Sequence, residues 1–150
     1  MALPSAYQAM KAYADVGLEA KINAATPLQI VVMLYEGAMG AVATAKGEIE
    51  QKHFAEKSHL INKAIDIVEG LRVALDMENG GEVCQNLHDL YEYIKYRLTT
   101  ANVKNDPVIL DEVHHLLDDL YSAWKGVADL PQNRPSIISE SAGVGSYGKV

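Results

Sequence analysis

Residues 80–107, GGEVCQNLHDLYEYIKYRLTTANVKNDP, are punctuated at both ends and keep one helical period between them. Gly80-Gly81 ends whatever precedes it and permits a tight turn. Asn105-Asp106-Pro107 closes the stretch and supplies an N-cap and an N1 proline for the next helix. Between these signals Val83, Leu87, Leu90, Tyr91, Ile94, Leu98 and Ala101 recur at three- and four-residue steps, so at about 100° per residue they share one side of a helix and form its core stripe. Beside that stripe run Asn86, Tyr93, Arg97 and Thr100, an edge that carries a phenol ring and a guanidinium four residues apart. Two readings fit the edge. It is a shoulder whose Tyr and Arg cover neighbouring apolar surface, or it is half of a docking groove.

A helix of this length needs partners of similar length, and the flanking sequence provides them. Thr26-Pro27 reads as N-cap and N1, with Gln29 at N3 completing a capping box, so a helix starts there and runs to about residue 51. Its main stripe is Leu28, Val31, Val32, Tyr35, Ala38, Met39, Val42, Ala45 and Ile49. The opposite side, Ile30, Met33, Gly37, Gly40, Ala41 and Thr44, is apolar or small where a solvated face would carry Lys and Glu. Glycine disfavours a helix interior, so Gly37 and Gly40 imply that another segment approaches this side closely. The candidate docking residues here are Ile30, Met33, Gly37 and Gly40. The same face could instead close a homodimer.

The next helix spans about residues 53–78, with an apolar arc from Phe54 through Leu60, Ile61, Ala64, Ile65, Ile67, Val68 and Leu71 to Ala74 and Leu75. A last helix begins at Asp106-Pro107 and reaches about Gly126, with Ile109, Val113, Leu116, Leu117, Leu120, Tyr121, Trp124 and Val127 on its stripe. Four helices joined by short links predict an all-α fold, an antiparallel up-down-up-down four-helix bundle over residues 26–128. Residues 1–25 precede it with an extra short helical segment, in which Tyr7, Met10 and Ala14 share a stripe and Tyr13 lies on another. This segment covers the first long helix permanently, or only until a partner arrives. Residues 129–150, rich in Pro, Ser and Gly without period, read as a disordered tail dispensable for folding.

The chain of 150 residues has one cysteine, Cys84, one step off the core stripe, which reads as a small half-buried thiol in a reducing compartment. A net charge of −7 with scattered Lys and Arg makes nucleic acid a poor partner. No charged-then-apolar leader and no apolar run of membrane-spanning length is evident, so the expectation is a cytoplasmic protein without membrane insertion.

Little in the sequence invites catalysis. The Glu-x-x-His spacing of a di-metal bundle occurs at Glu56/His59 and Glu112/His115, but these residues fall off the apolar stripes, and the other two helices put no carboxylate on theirs. No nucleophile motif or phosphate-binding glycine loop is present. The expectation is no catalytic residue, no metal, no cofactor and no enzyme. What remains is surplus apolar helix surface, which on a water-facing protein points to a partner.

The chain resembles the FliS-type flagellar secretion chaperones. The resemblance rests on Lys11-Ala12-Tyr13-Ala14, Thr26-Pro27, Met33-Leu34-Tyr35-Glu36-Gly37-Ala38, Lys63-Ala64, Ile67-Val68 and Leu71. It continues through Gly80-Gly81-Glu82, Asn86-Leu87, Leu90-Tyr91-Glu92-Tyr93, Arg97-Leu98, Ala101-Asn102, Asn105-Asp106, Glu112-Val113 and Ala123-Trp124. It implies a cytoplasmic bundle that binds the C-terminal segment of flagellin, unfolded when free and helical when bound, and so prevents premature polymerisation before secretion. It also implies that the N-terminal region, with Tyr7, Met10 and Tyr13, can cover a site flagellin uses. Asn86, Tyr93 and Arg97 then form a second candidate surface. Another flagellar export or regulatory protein on the same grooves is the alternative partner.

Overall fold

A computed structural model describes residues 26–128 and Ile138. It contains four α-helices, α1 (Pro27–Glu50), α2 (Phe54–Val73), α3 (Gly81–Lys104) and α4 (Pro107–Ala128). α1 packs against α2 and α4, and α3 packs against the same two, so α1 and α3 lie diagonally across an all-α bundle. Links of a few residues reverse the chain each time, at 51–53, 74–80 and 105–106.

The boundaries follow from local chemistry. At Thr26 the Gln29 backbone N–H donates to Oγ1 (3.1 Å) and the Thr26 N–H donates to Gln29 Oε1 (2.9 Å), so the capping box forms in full. α3 opens with Gly81 at φ +62°, a left-handed value that favours glycine, and closes on Asn105 at φ 51°, a residue type that tolerates it. Asp106 Oδ1 then accepts from the Val108 N–H at 2.9 Å and starts α4. α2 is shorter than its periodicity predicts. It stops at Val73, and Leu75 leaves the helix to form an isolated antiparallel bridge with Ile138.

The buried residues are mostly aliphatic, with a tyrosine pair forming a polar seam and Lys57 a buried charge elsewhere. Tyr35 of α1 and Tyr91 of α3 meet across the diagonal with their hydroxyls 2.5 Å apart, and both rings are buried. Burial, the largest influence, pushes both phenols well above their ordinary range. α1 is by length and composition apolar enough to cross a membrane, contrary to the sequence expectation, and half of that stretch is buried in the bundle.

Candidate partner-binding groove

On α3 the first turn faces differently from the stripe expected of it. Cys84, not Val83, enters the core: Cys84 is fully buried and Val83 is 53% exposed. The reason is the tight α2–α3 corner, where Gly80 sits against the Cys84 sulfur and turns the helix start so that position 84 points inward. Burial then raises the Cys84 thiol above its ordinary pKa. Leu87 and Leu90 are only partly buried, as are Leu116, Leu120 and Val127 of α4. Periodicity places all of them in the core, but each lies where the stripe meets the α3–α4 seam.

These shoulders make a groove. Val83 and Leu87 from α3 and Leu120, Ala123, Trp124 and Val127 from α4 enclose about 210 Å³ lined almost wholly by carbon. The sequence signal that could have found it is the pair of adjoining apolar arcs, each too wide for one seam. Farther along the same seam Tyr93 Oη donates to Glu112 Oε2 (2.5 Å), and Arg97 Nε donates to Glu112 Oε1 (2.8 Å). The Tyr93 hydrogen bond, then Arg97, holds the Glu112 carboxyl below its ordinary range, and the same bond raises the Tyr93 phenol. Tyr93 and Arg97 thus form one polar clamp with Glu112 of α4, and exposed Asn86 is next to Leu87 in the chain. Of the α3 edge residues, Tyr93 and Arg97 are bonded across to Glu112 of α4, while the groove wall on α3 is Val83 and Leu87.

The α1 candidates separate. Ile30 is buried (1% exposed), and half-buried Gly37 faces α2, where a Cβ would stand 3.4 Å from Ile67 Cδ1. Met33 is half-buried, while Gly40 is exposed with no atom within 4 Å of a Cβ position. Neither Met33 nor Gly40 lines the groove. Tyr7, Met10 and Tyr13 lie outside the described residues.

Sequence reasoning missed Lys57, which is 4% exposed. Its ammonium donates to the backbone carbonyl (2.9 Å) and Oδ1 (2.6 Å) of Asn102, and Ser58 Oγ donates to the same Oδ1 at 2.9 Å. Burial lowers its pKa. These bonds tie the first turn of α2 to the last turns of α3, and no periodicity marks such a lysine. Phe54, expected on the α2 stripe, is exposed, with the Lys57 ammonium 5.8 Å from its ring centroid. Glu112 is engaged by the clamp and His115 faces Asp119 at 3.5 Å. Among the described residues no group of three or more His, Cys, Asp or Glu is arranged to hold a metal ion.

Comparison with known proteins gives one consistent family. The family model described as flagellar protein FliS matches residues 9–131. A flagellar secretion chaperone FliSB from Pseudomonas aeruginosa is 45% identical over 123 residues, covering 82% of this chain and 98% of the relative. A flagellar secretion chaperone FliS from Salmonella typhimurium is 40% identical over 120 residues, covering 79% of this chain and 89% of its own length. For the FliS of Bacillus subtilis the figures are 33% over 104 residues, 69% and 77%.

Proposed function

Because the chain belongs to the FliS family, whose named relatives are flagellar secretion chaperones, we propose that it holds the C-terminal segment of flagellin in the α3–α4 groove before export. The observation that carries this reading is the apolar trough of Val83, Leu87, Leu120, Ala123, Trp124 and Val127, with the Tyr93–Arg97–Glu112 clamp on the same pair of helices. A helix laid along the seam would bury its aliphatic side chains there at i, i+3/i+4 spacing, and the clamp would face a polar position on the same helix. Flagellin's segment folds as it binds, so part of the contact energy offsets the ordering of the peptide. While held, the segment is withheld from polymerisation in the cytoplasm. Residues 1–20, with Tyr7, Met10 and Tyr13, act as a cover that flagellin displaces, and the Met33/Gly40 face of α1 offers a second surface to a partner long enough to wrap the bundle.

The chain's only tryptophan lines the groove, which makes the test direct. A tryptophan-free synthetic peptide with the flagellin C-terminal sequence is titrated while Trp124 emission and far-ultraviolet circular dichroism are recorded. Saturable emission change together with helix gained beyond the sum of the components supports the reading. Saturable helix gain with unchanged Trp124 emission, and binding undiminished in Leu120→Asp, would place the peptide elsewhere. No interaction at all would remove flagellin as the partner.

A further inference from the structure

Ile138 is the one described residue beyond α4, and it is 5% exposed, within the same apolar cluster as the bundle interior. Its backbone forms an antiparallel bridge with Leu75. Leu75 follows the α2 C-cap, Ala74, in the α2–α3 link, a place where a side chain is ordinarily solvated, yet it too is buried. We infer that the α2–α3 corner is a docking niche for a branched aliphatic side chain carried on an extended segment, and that the chain's own C-terminal segment fills it through Ile138.

Three features support that occupant. The bridge fixes an extended backbone at residue 138, which a β-branched side chain prefers. Pro131 and Pro135 precede it in a stretch that disfavours helix. The segment from Ala128 can also reach, since its extended length is on the order of 30 Å, against roughly 10–15 Å between diagonal helices of a bundle. The niche adjoins a closely packed turn at the start of α3. Gly80 donates its N–H to the Asp76 carbonyl (2.8 Å), and Cys84 packs fully buried against Gly80. Seating Ile138 therefore closes the corner from which α3 starts, and with it the turn that carries Val83 at the mouth of the α3–α4 groove. The tail is an intramolecular strap, and the inference is independent of what the groove holds.

Cys84, the sole cysteine, reports on this corner. Labelling with an aromatic disulfide is followed in the full-length chain and in Ile138→Asp, with circular dichroism to confirm retained helix. The expected result is labelling about tenfold faster or more in Ile138→Asp, near the original rate in Ile138→Val, because the thiol is reached through local opening. A synthetic peptide of residues 131–145 added to the Ile138→Asp protein restores slow labelling saturably, and the same peptide with aspartate at 138 does not. Should Ile138→Asp lose its helix, Ile138→Ala is read in the same way. Labelling at the unaltered rate in the folded variant overturns the strap.

Discussion

Replacing Tyr35 with Phe tests how the interior is tied together. The two tyrosine hydroxyls lie 2.5 Å apart across the bundle diagonal, both buried. Tyr35→Phe removes one hydroxyl and leaves the other buried with a donor or an acceptor unmet, a loss of about 1–3 kcal/mol. Tyr91→Phe should lose about the same by symmetry. If the two were independent, the double variant would lose the sum, about 2–6 kcal/mol. They are not independent, because one bond is counted in both. With both hydroxyls gone neither is left as a buried orphan, so Tyr35→Phe/Tyr91→Phe should lose no more than either single, about 1–3 kcal/mol. The double-mutant coupling is then about 1–3 kcal/mol, read from urea unfolding at constant m-value. Additive losses within about 0.5 kcal/mol would show that the hydroxyls do not act as a unit, and the diagonal tie beneath the groove would have to be abandoned.

Three further outcomes distinguish groove from core and corner from face. Leu117 is fully buried and Leu120 lines the groove, so Leu117→Ala should lose about 3–5 kcal/mol of stability, whereas Leu120→Ala should lose about half that or less but weaken flagellin-peptide binding about tenfold or more; equal stability losses by denaturation would refute the distinction. Gly40→Ala should stabilise by about 0.4–1 kcal/mol, since a Cβ there meets nothing within 4 Å, while Gly80→Ala should destabilise by at least about 1–3 kcal/mol because its Cβ would lie 2.0 Å from Cys84 Sγ and 2.9 Å from the Asp76 carbonyl; thermal melts with reversed signs would contradict this geometry. The Arg72 hydrogen bond, with Lys95, lowers Glu69 to about 2 from 4.5, so its contribution is complete above the unfolded value and disappears as pH falls from about 5 toward 2. With the side chain 28% exposed that contribution is about 1–3 kcal/mol, and Glu69→Gln should flatten the acid limb of a stability profile; an unchanged limb would show that the network adds nothing.

The helix ends were legible because each is written in a few adjacent residues. Thr26-Pro27 with Gln29, Gly80-Gly81 and Asn105-Asp106-Pro107 act through caps and backbone conformations that need no distant partner. The end of α2 was not legible in this way. Ala74 and Leu75 continue the apolar period, yet Leu75 lies beyond the helix and pairs with Ile138, 63 residues later in the numbering of the chain. Lys57 was invisible for a similar reason, since its acceptors belong to Asn102 on another helix.

The wide apolar arcs of α3 and α4 were present in the sequence, and so was the pairing of Tyr93 with Arg97 on an edge. Which apolar residues would be sealed and which left as walls was decided by rotation. Turning the start of α3 by one residue buries Cys84 and exposes Val83. Periodicity resolves a helix face to within about one residue, or 100°, and that is the difference between core and groove. On α1 the same limit sends Ile30 and Gly37 inward and leaves Gly40 outside. By itself, then, the sequence determined four amphipathic helices, their caps and their order, because those depend on neighbours along the chain. The tertiary structure alone decided where the helices leave a seam open, because that depends on how each is rotated against elements that the chain brings together only by folding.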